Sequence, residues 1–174
     1  MDGSFERPLA MERFTPGPDS ARALRDALGR FATGVTVVTA LGPEGPVGIT
    51  ANSFASVSLD PPLVLWSPAR ASSRFPVFAE AEHFAIHVLG ADQRDLAAHF
   101  TRHGRDFGGL EVTEGPGGVP LIGQCLARFA CRRFAAQDAG DHAIILGEVL
   151  EAAFREGEPL VFSQGFYGSF TRHD

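Results

Sequence analysis

Apolar residues recur three and four positions apart from Ala21 through Leu24, Ala27 and Leu28 to Phe31, which predicts a helix that Asp19 or Ser20 can cap and Gly34 can end. The period then changes. Val35 to Leu41 is rich in β-branched residues and predicts a strand, Gly42-Pro43-Glu44-Gly45 a turn, and Val47 to Phe54 a second strand, together a hairpin. Leu63 to Ser67 predicts another strand, Phe75 to Ala81 a short helical patch, and Phe84 to Leu89 a further strand. Leu96, Ala97 and Phe100 have helical spacing within Asp92–His103, with Asp92 near the start and Arg102 near the end, where the helix dipole favours each charge. Gly104 to Gly118 is glycine-rich and reads as a loop, with Leu110 and Val112 able to form a brief strand. Strand patterns return at Leu126–Phe134, Ala143–Phe154 and Leu160–Ser163.

This gives six or seven strands, two clear helices and no internal repeat. The order lacks the regular β-α alternation of a doubly wound parallel sheet, so the predicted class is mainly β, a mostly antiparallel barrel or sandwich with flanking helices. Residues 1–18, with Pro8, Pro16, Gly17 and Pro18 and no periodicity, read as an N-terminal arm, and residues 19–174 as one domain.

One predicted strand is unusual. Thr50-Ala51-Asn52-Ser53-Phe54-Ala55-Ser56-Val57-Ser58-Leu59-Asp60-Pro61-Pro62 reads as buried by position, yet it crowds hydroxyls and an amide where packing alone would select Val, Ile and Leu. A polar ligand held there explains the composition.

The net charge of −6 gives no global field to attract nucleic acid or an anionic membrane. All 15 basic residues are Arg, which excludes Schiff-base chemistry on a lysine of this chain and leaves Arg or His for any phosphate clamp. Met1 to Phe14 contains no apolar core of a secretory signal, and the longest apolar runs, such as Leu63–Trp66, are too short to span a bilayer. A cytoplasmic location is expected. Cys125 and Cys131, about 20 Å apart along a strand, can form no disulfide with each other, and they lack C-x-x-C spacing.

Familiar catalytic motifs are missing. There is no G-x-S-x-G elbow, and His83 and His87 on a strand stand about 13 Å apart, too far to share a metal. Gly115-Pro116-Gly117-Gly118 lacks the strand-loop-helix context of a phosphate loop. At Arg70-Ala71-Ser72-Ser73-Arg74, the serines either cap the short helix or cradle a phosphate with Arg74 or Arg70 as its charged partner. Gly140-Asp141-His142 reads as a turn between strands, with His142 at the strand edge.

Taken together, Arg30–Thr39, Thr50–Pro62, Phe84–Leu89 with Asp92-Gln93, Ala139–His142 with Gly147-Glu148-Val149, and Pro159–Phe162 leading to Gly165-Phe166-Tyr167 resemble the short-chain flavin reductase family, the reductase partners of two-component flavin-dependent monooxygenases. The motifs keep family order over roughly residues 20–170. The resemblance implies an FMN-binding split β-barrel, a homodimer, FMN or FAD, NADH or NADPH as hydride donor, and a separate oxygenase component, with no nucleic acid and no membrane. It implies that Thr50, Ala51, Asn52, Ser53 and Phe54 line the isoalloxazine and ribityl chain, with Ser56 and Val57 continuing that wall. Ala71, Ser72, Ser73 and Arg74 match the phosphate-side loop, where relatives often carry Lys, and His103 matches a position that reaches the flavin. His142, Phe166 and Tyr167 match the nicotinamide side, His142 as the candidate catalytic residue.

Hydride transfer between stacked rings needs no protein nucleophile, which agrees with the missing triad. The competing expectations are a flavin-binding or sensing protein without turnover, and a split-barrel oxidase of another small substrate. Only the reading as a nicotinamide-dependent flavin reductase uses both Gly140-Asp141-His142 and Gly165-Phe166-Tyr167.

Overall fold

The computed structural model describes residues 10–171, so the predicted arm at 1–18 falls partly outside the described residues. The helices are α1 (Ala21–Leu28), α2 (Phe75–Glu80) and α3 (Arg94–Arg102). In chain order the strands begin with β1 (Thr33–Gly34), β2 (Thr36–Gly42), β3 (Gly45–Ala51), β4 (Ala55–Leu59) and β5 (Pro62–Trp66). They continue with β6 (His83–Val88), β7 (Val112–Glu114), β8 (Pro120–Ile122) and β9 (Ala127–Ala139). The last are β10 (His142–Phe154), β11 (Leu160–Ser163) and β12 (Phe166–Ser169). The excess over seven lies in β1, β7, β8 and β12, which have two to four residues each and so cannot show a period in the sequence, and in β4, which the expected Thr50–Pro62 strand merged with β3.

Seven strands form one antiparallel sheet in the order β3-β2-β6-β9-β10-β5-β4. Its two edge strands, β3 and β4, are joined by residues 52–54 alone. Four Cα steps span at most about 15 Å, so the sheet must curl until its edges meet at this corner. Elsewhere they do not pair, and the barrel is split. Ser53 stitches the corner: its Oγ accepts from the Ser67 N–H at 2.9 Å and donates to the Ser67 carbonyl at 3.3 Å.

The expectation of one buried strand through Thr50–Pro62 is therefore corrected. β3 stops at Ala51, and β4 is an exposed edge strand in which Leu59 is 96% exposed. A hydroxyl-rich strand costs little at an edge, where one face and one ladder meet water.

β2 is buried on both faces, which explains its nearly continuous apolar run. Val38 and Ala40 join Trp66, Phe84, Ile86 and Ile145 inside the barrel, while Val37 packs outside it with Leu89, Ala97 and Phe100 beneath α3. Trp66 and Phe78 meet edge to face at 5.0 Å. Fully buried His87 is held on both nitrogens, Nδ1 to the Val37 carbonyl and Nε2 to the Ile122 N–H, so this strand histidine is a packing element. Both cysteines are free, as the spacing predicts, and both are buried; burial pushes the Cys131 thiol up to about 12.

The predicted apolar face of α1 exists, but no residue of the helix is buried, and Leu28 and Phe31 are 67% and 78% exposed. No helix among the described residues is long and apolar enough to cross a membrane.

Candidate functional site

At the corner where the sheet edges meet, a cleft of about 440 Å³ opens between the end of β3, one face of α3 and the β11–β12 hairpin. Thr50, Ala51 and Asn52 form one wall, Ala98, Thr101 and Arg102 another, and Tyr167 with Phe162 the third. Phe162 and Tyr167 are cross-strand partners whose rings meet edge to face at 5.4 Å, so the aromatic wall is fixed by sheet register. No carboxylate lines this cleft among the described residues; its only charged side chain is Arg102.

The polar groups of the seam divide by task. Thr50 Oγ1 donates to the Ala97 carbonyl at 2.7 Å, which ties β3 to α3, and Ser53 is spent on Ser67. Ser58 caps its own turn by accepting the Asp60 N–H at 3.2 Å. Asn52 is different. Its amide is exposed and bonds no protein group, and the backbone N–H groups of Asn52, Ser53 and Phe54 find no protein acceptor among the described residues. Three consecutive N–H groups between two strands, outside either ladder, are an open donor row.

Arg102 also borders a second depression, formed with Ser73, Arg74, His103, Arg105 and one carboxylate, Asp106. Here the Ala71–Arg74 segment meets the C-terminal end of α3. Ser72 N–H bonds the Ala69 carbonyl and Phe75 N–H bonds the Ser72 carbonyl, while Ser72 Oγ accepts from the Arg74 N–H at 3.3 Å. The Ser73 N–H has no acceptor among the described residues. Ser72 Oγ thus closes a local turn onto Arg74 and caps no N–H of α2, which corrects the capping expectation, and Ser73 leaves its N–H open.

The remaining predicted residues lie apart from these two depressions. Phe54 turns its ring into the barrel, stacked on Phe129 at 5.6 Å, and contributes only its main chain to the seam. Ser56 and Val57 sit on the exposed edge strand, Ala71 in the loop, and Phe166 at the hairpin turn, 77% exposed. His142 lies at the tip of the β9–β10 hairpin, a two-residue turn that needs the positive φ of +67° at Gly140. Its Nδ1 is 2.8 Å from the Asp141 carboxylate, and this hydrogen bond holds the Asp141 carboxyl below the usual carboxylate range. Ala69 bridges His142, and the Asp141 carbonyl accepts from the Arg70 N–H at 2.8 Å, so the hairpin tip is fastened to the start of the Arg70–Arg74 loop.

Ala98, Thr101 and Arg102 stand out only once the fold is known. Their signal in the sequence is spacing: positions 98, 101 and 102 share a helical face beside the buried Ala97 and Phe100, and two of them are small.

Apolar walls, an open row of donors and one cation suit a flat, polar-edged ring with an anionic tail. Residues 28–171 match the family model described as "Flavin reductase like domain". The chain is 65% identical over 159 residues to FMN reductase (NADH) SmoA of Agrobacterium fabrum, covering 91% of each. It is 50% identical over 130 residues to the reductase component of the flavin-dependent trigonelline monooxygenase of Acinetobacter baylyi, covering 74% of this chain and 42% of that one. The structure of the Streptomyces globisporus NADH:FAD oxidoreductase SgcE6 in complex with NAD and FAD fragments superposes with a TM-score of 0.83 at 38% identity, over 91% of this chain and 98% of that one. The fold is thus that of a split-barrel flavin reductase, and the protein belongs to the flavin reductase-like family.

Proposed function

We propose that the protein is an NADH:FMN oxidoreductase that passes reduced flavin to a separate oxygenase component. The observation that carries this is the open donor row at Asn52–Phe54 beside an apolar cleft whose only charged lining residue is Arg102. The name of the 65% identical FMN reductase (NADH) favours NADH and FMN, against FAD in the name of the 38% identical SgcE6, and the reductase components among the relatives favour a partner oxygenase.

Flavin supplies the two-electron acceptor for the nicotinamide hydride. The chain's own residues bind and orient. Ala51 and Ala98 are small enough to admit a ring, and the Asn52 amide with the 52–54 N–H groups donates to its polar edge, where negative charge grows on reduction. These donors are set by the β3–β4 seam before binding, so little reorganisation is needed. Arg102, Ser73 and His103 receive the phosphate end, and Tyr167 closes the nicotinamide side. Asp141 fixes the tautomer of His142, leaving Nε2 to position the nicotinamide amide.

The exposed Leu28 and Phe31 of the α1 region give a face that a second copy of the chain covers, so the working unit is a homodimer. It acts in the cytoplasm, with no nucleic-acid or membrane partner, as its charge of −6 suits. The test is to follow NADH and NADPH oxidation with FMN, FAD and riboflavin. Turnover is expected with NADH and FMN; no turnover with any pair overturns the reading.

A further inference from the structure

Arg74 faces the phosphate-side depression, yet its guanidinium is committed elsewhere. Nη1 donates to the carbonyls of Phe100 and Gly48, the latter at 3.4 Å, and Nη2 donates to the Thr101 carbonyl at 3.2 Å. Phe100 and Thr101 belong to the last turn of α3, whose carbonyls have no partner within the helix. Gly104 makes room for the arginine, because a Cβ there would strike its Nε and Cδ.

The placement answers an electrostatic problem. α3 ends at the rim formed by Ser73, Arg102 and His103, so its carbonyls present the negative end of the helix dipole to the place where an anion is expected. Bare carbonyls would repel a phosphate. A charged donor set against two of them cancels the local negative charge and leaves Arg102, Arg105 and the open Ser73 N–H to attract the anion against one carboxylate, Asp106, which accepts the Gly108 N–H. Partial burial lowers the Arg74 pKa, as expected for a guanidinium set against the protein.

On the reading of this cleft as a flavin site, we propose that Arg74 is a positioning residue that never touches the ligand: by capping the C-terminal carbonyls of α3 it makes the depression tolerant of the flavin phosphate. Its effect is therefore on the anionic tail and not on the ring. The 69–75 loop has its own bonds, Ser72 to Ala69 and Phe75 to Ser72, and keeps its shape without the guanidinium.

The test compares FMN with riboflavin, which has the same ring and no phosphate, by fluorescence titration of the full chain and by NADH turnover. Arg74→Gln keeps a donor for one carbonyl and removes the charge; it is expected to weaken FMN binding about tenfold while riboflavin stays within about twofold. Arg74→Lys restores the charge and is expected to recover most of the FMN affinity. Should the glutamine variant fail to fold, Arg74→Met, which keeps the aliphatic stem, repeats the comparison. Equal loss for FMN and riboflavin, or no loss for FMN, overturns the role of Arg74 alone. Absence of binding of either flavin by the unaltered protein overturns the flavin site itself, and this inference with it.

Discussion

The imidazole Nε2 of His87 accepts the Ile122 N–H at 3.0 Å, across the boundary between the main sheet and the β7–β8 ribbon. Its other nitrogen donates to the Val37 carbonyl at 3.0 Å, so the neutral Nδ1–H tautomer satisfies both neighbours.

Protonation would put a second N–H against the Ile122 donor inside a fully buried pocket. Burial first, and the charge of Arg128 last, push the His87 pKa down, while the Val37 bond opposes them; the result is about 4. Between about 4 and 6.5 the unfolded chain binds a proton that the folded chain refuses, so stability rises with pH across that window and is lost as pH falls through it. The full effect is at most about 3 kcal/mol. Urea unfolding at pH 7 and pH 4.5 should show a larger acid loss for the unaltered protein than for His87→Gln, which cannot titrate. Equal losses would mean that His87 is not the group responsible.

Strong periods made much of the fold legible. The Val35–Leu41 run shows β2 because both faces of that strand are buried, and the Leu96-Ala97-Phe100 spacing shows α3 because its inner face packs on β3 and β2. The break at Asn52–Phe54 was hidden, since whether a hydroxyl-rich segment lies in a central or an edge strand depends on sheet order, which pairing at long range decides. The site was half legible for the same reason. Thr50, Ala51, Asn52 and Tyr167 do meet in one cleft, but Arg102 enters it only through the docking of α3. Residue type alone also cannot separate Ser53, consumed by Ser67, from Asn52, which bonds nothing.

That contrast gives a paired prediction. Asn52→Ala should leave thermal stability nearly unchanged, since no protein bond is lost, and weaken FMN and riboflavin alike by about tenfold. Ser53→Ala removes both bonds to Ser67 and should cost about 1–3 kcal/mol of stability. Thermal melts and flavin titrations on the two variants check this. A reversed pattern, with Asn52 structural and Ser53 ligand-specific, would refute the assignment of the donor row.

Gly48 lies under the Phe100 ring, and its N–H donates to the Gly104 carbonyl at 2.7 Å. A Cβ at this position would meet Phe100 Cδ1 at 2.6 Å, so Gly48→Ala must push α3 off β3. Overpacking of this kind costs about 1–3 kcal/mol. Because α3 ends in Arg102 and is followed directly by His103, FMN affinity should fall together with stability, whereas a core change remote from α3 should lower stability alone. Denaturant unfolding and FMN titration of Gly48→Ala, with Ile145→Val inside the barrel as the control, distinguish the two.

His142 bears the claim of nicotinamide handling, and its ring is oriented by a single side-chain bond, from Nδ1 to Asp141. On the proposed positioning role, its removal should act on nicotinamide binding more than on the chemical step. His142→Ala is expected to raise the NADH KM about tenfold at saturating FMN, with kcat reduced less than about threefold. Asp141→Asn, which keeps a weaker hydrogen bond but loses the charge, should move KM in the same direction by a smaller factor. Flavin titration should be indifferent to both changes, because neither residue borders the cleft at Thr50–Asn52. Unaltered NADH kinetics in His142→Ala would remove the residue from the mechanism and leave Tyr167 to hold the nicotinamide side.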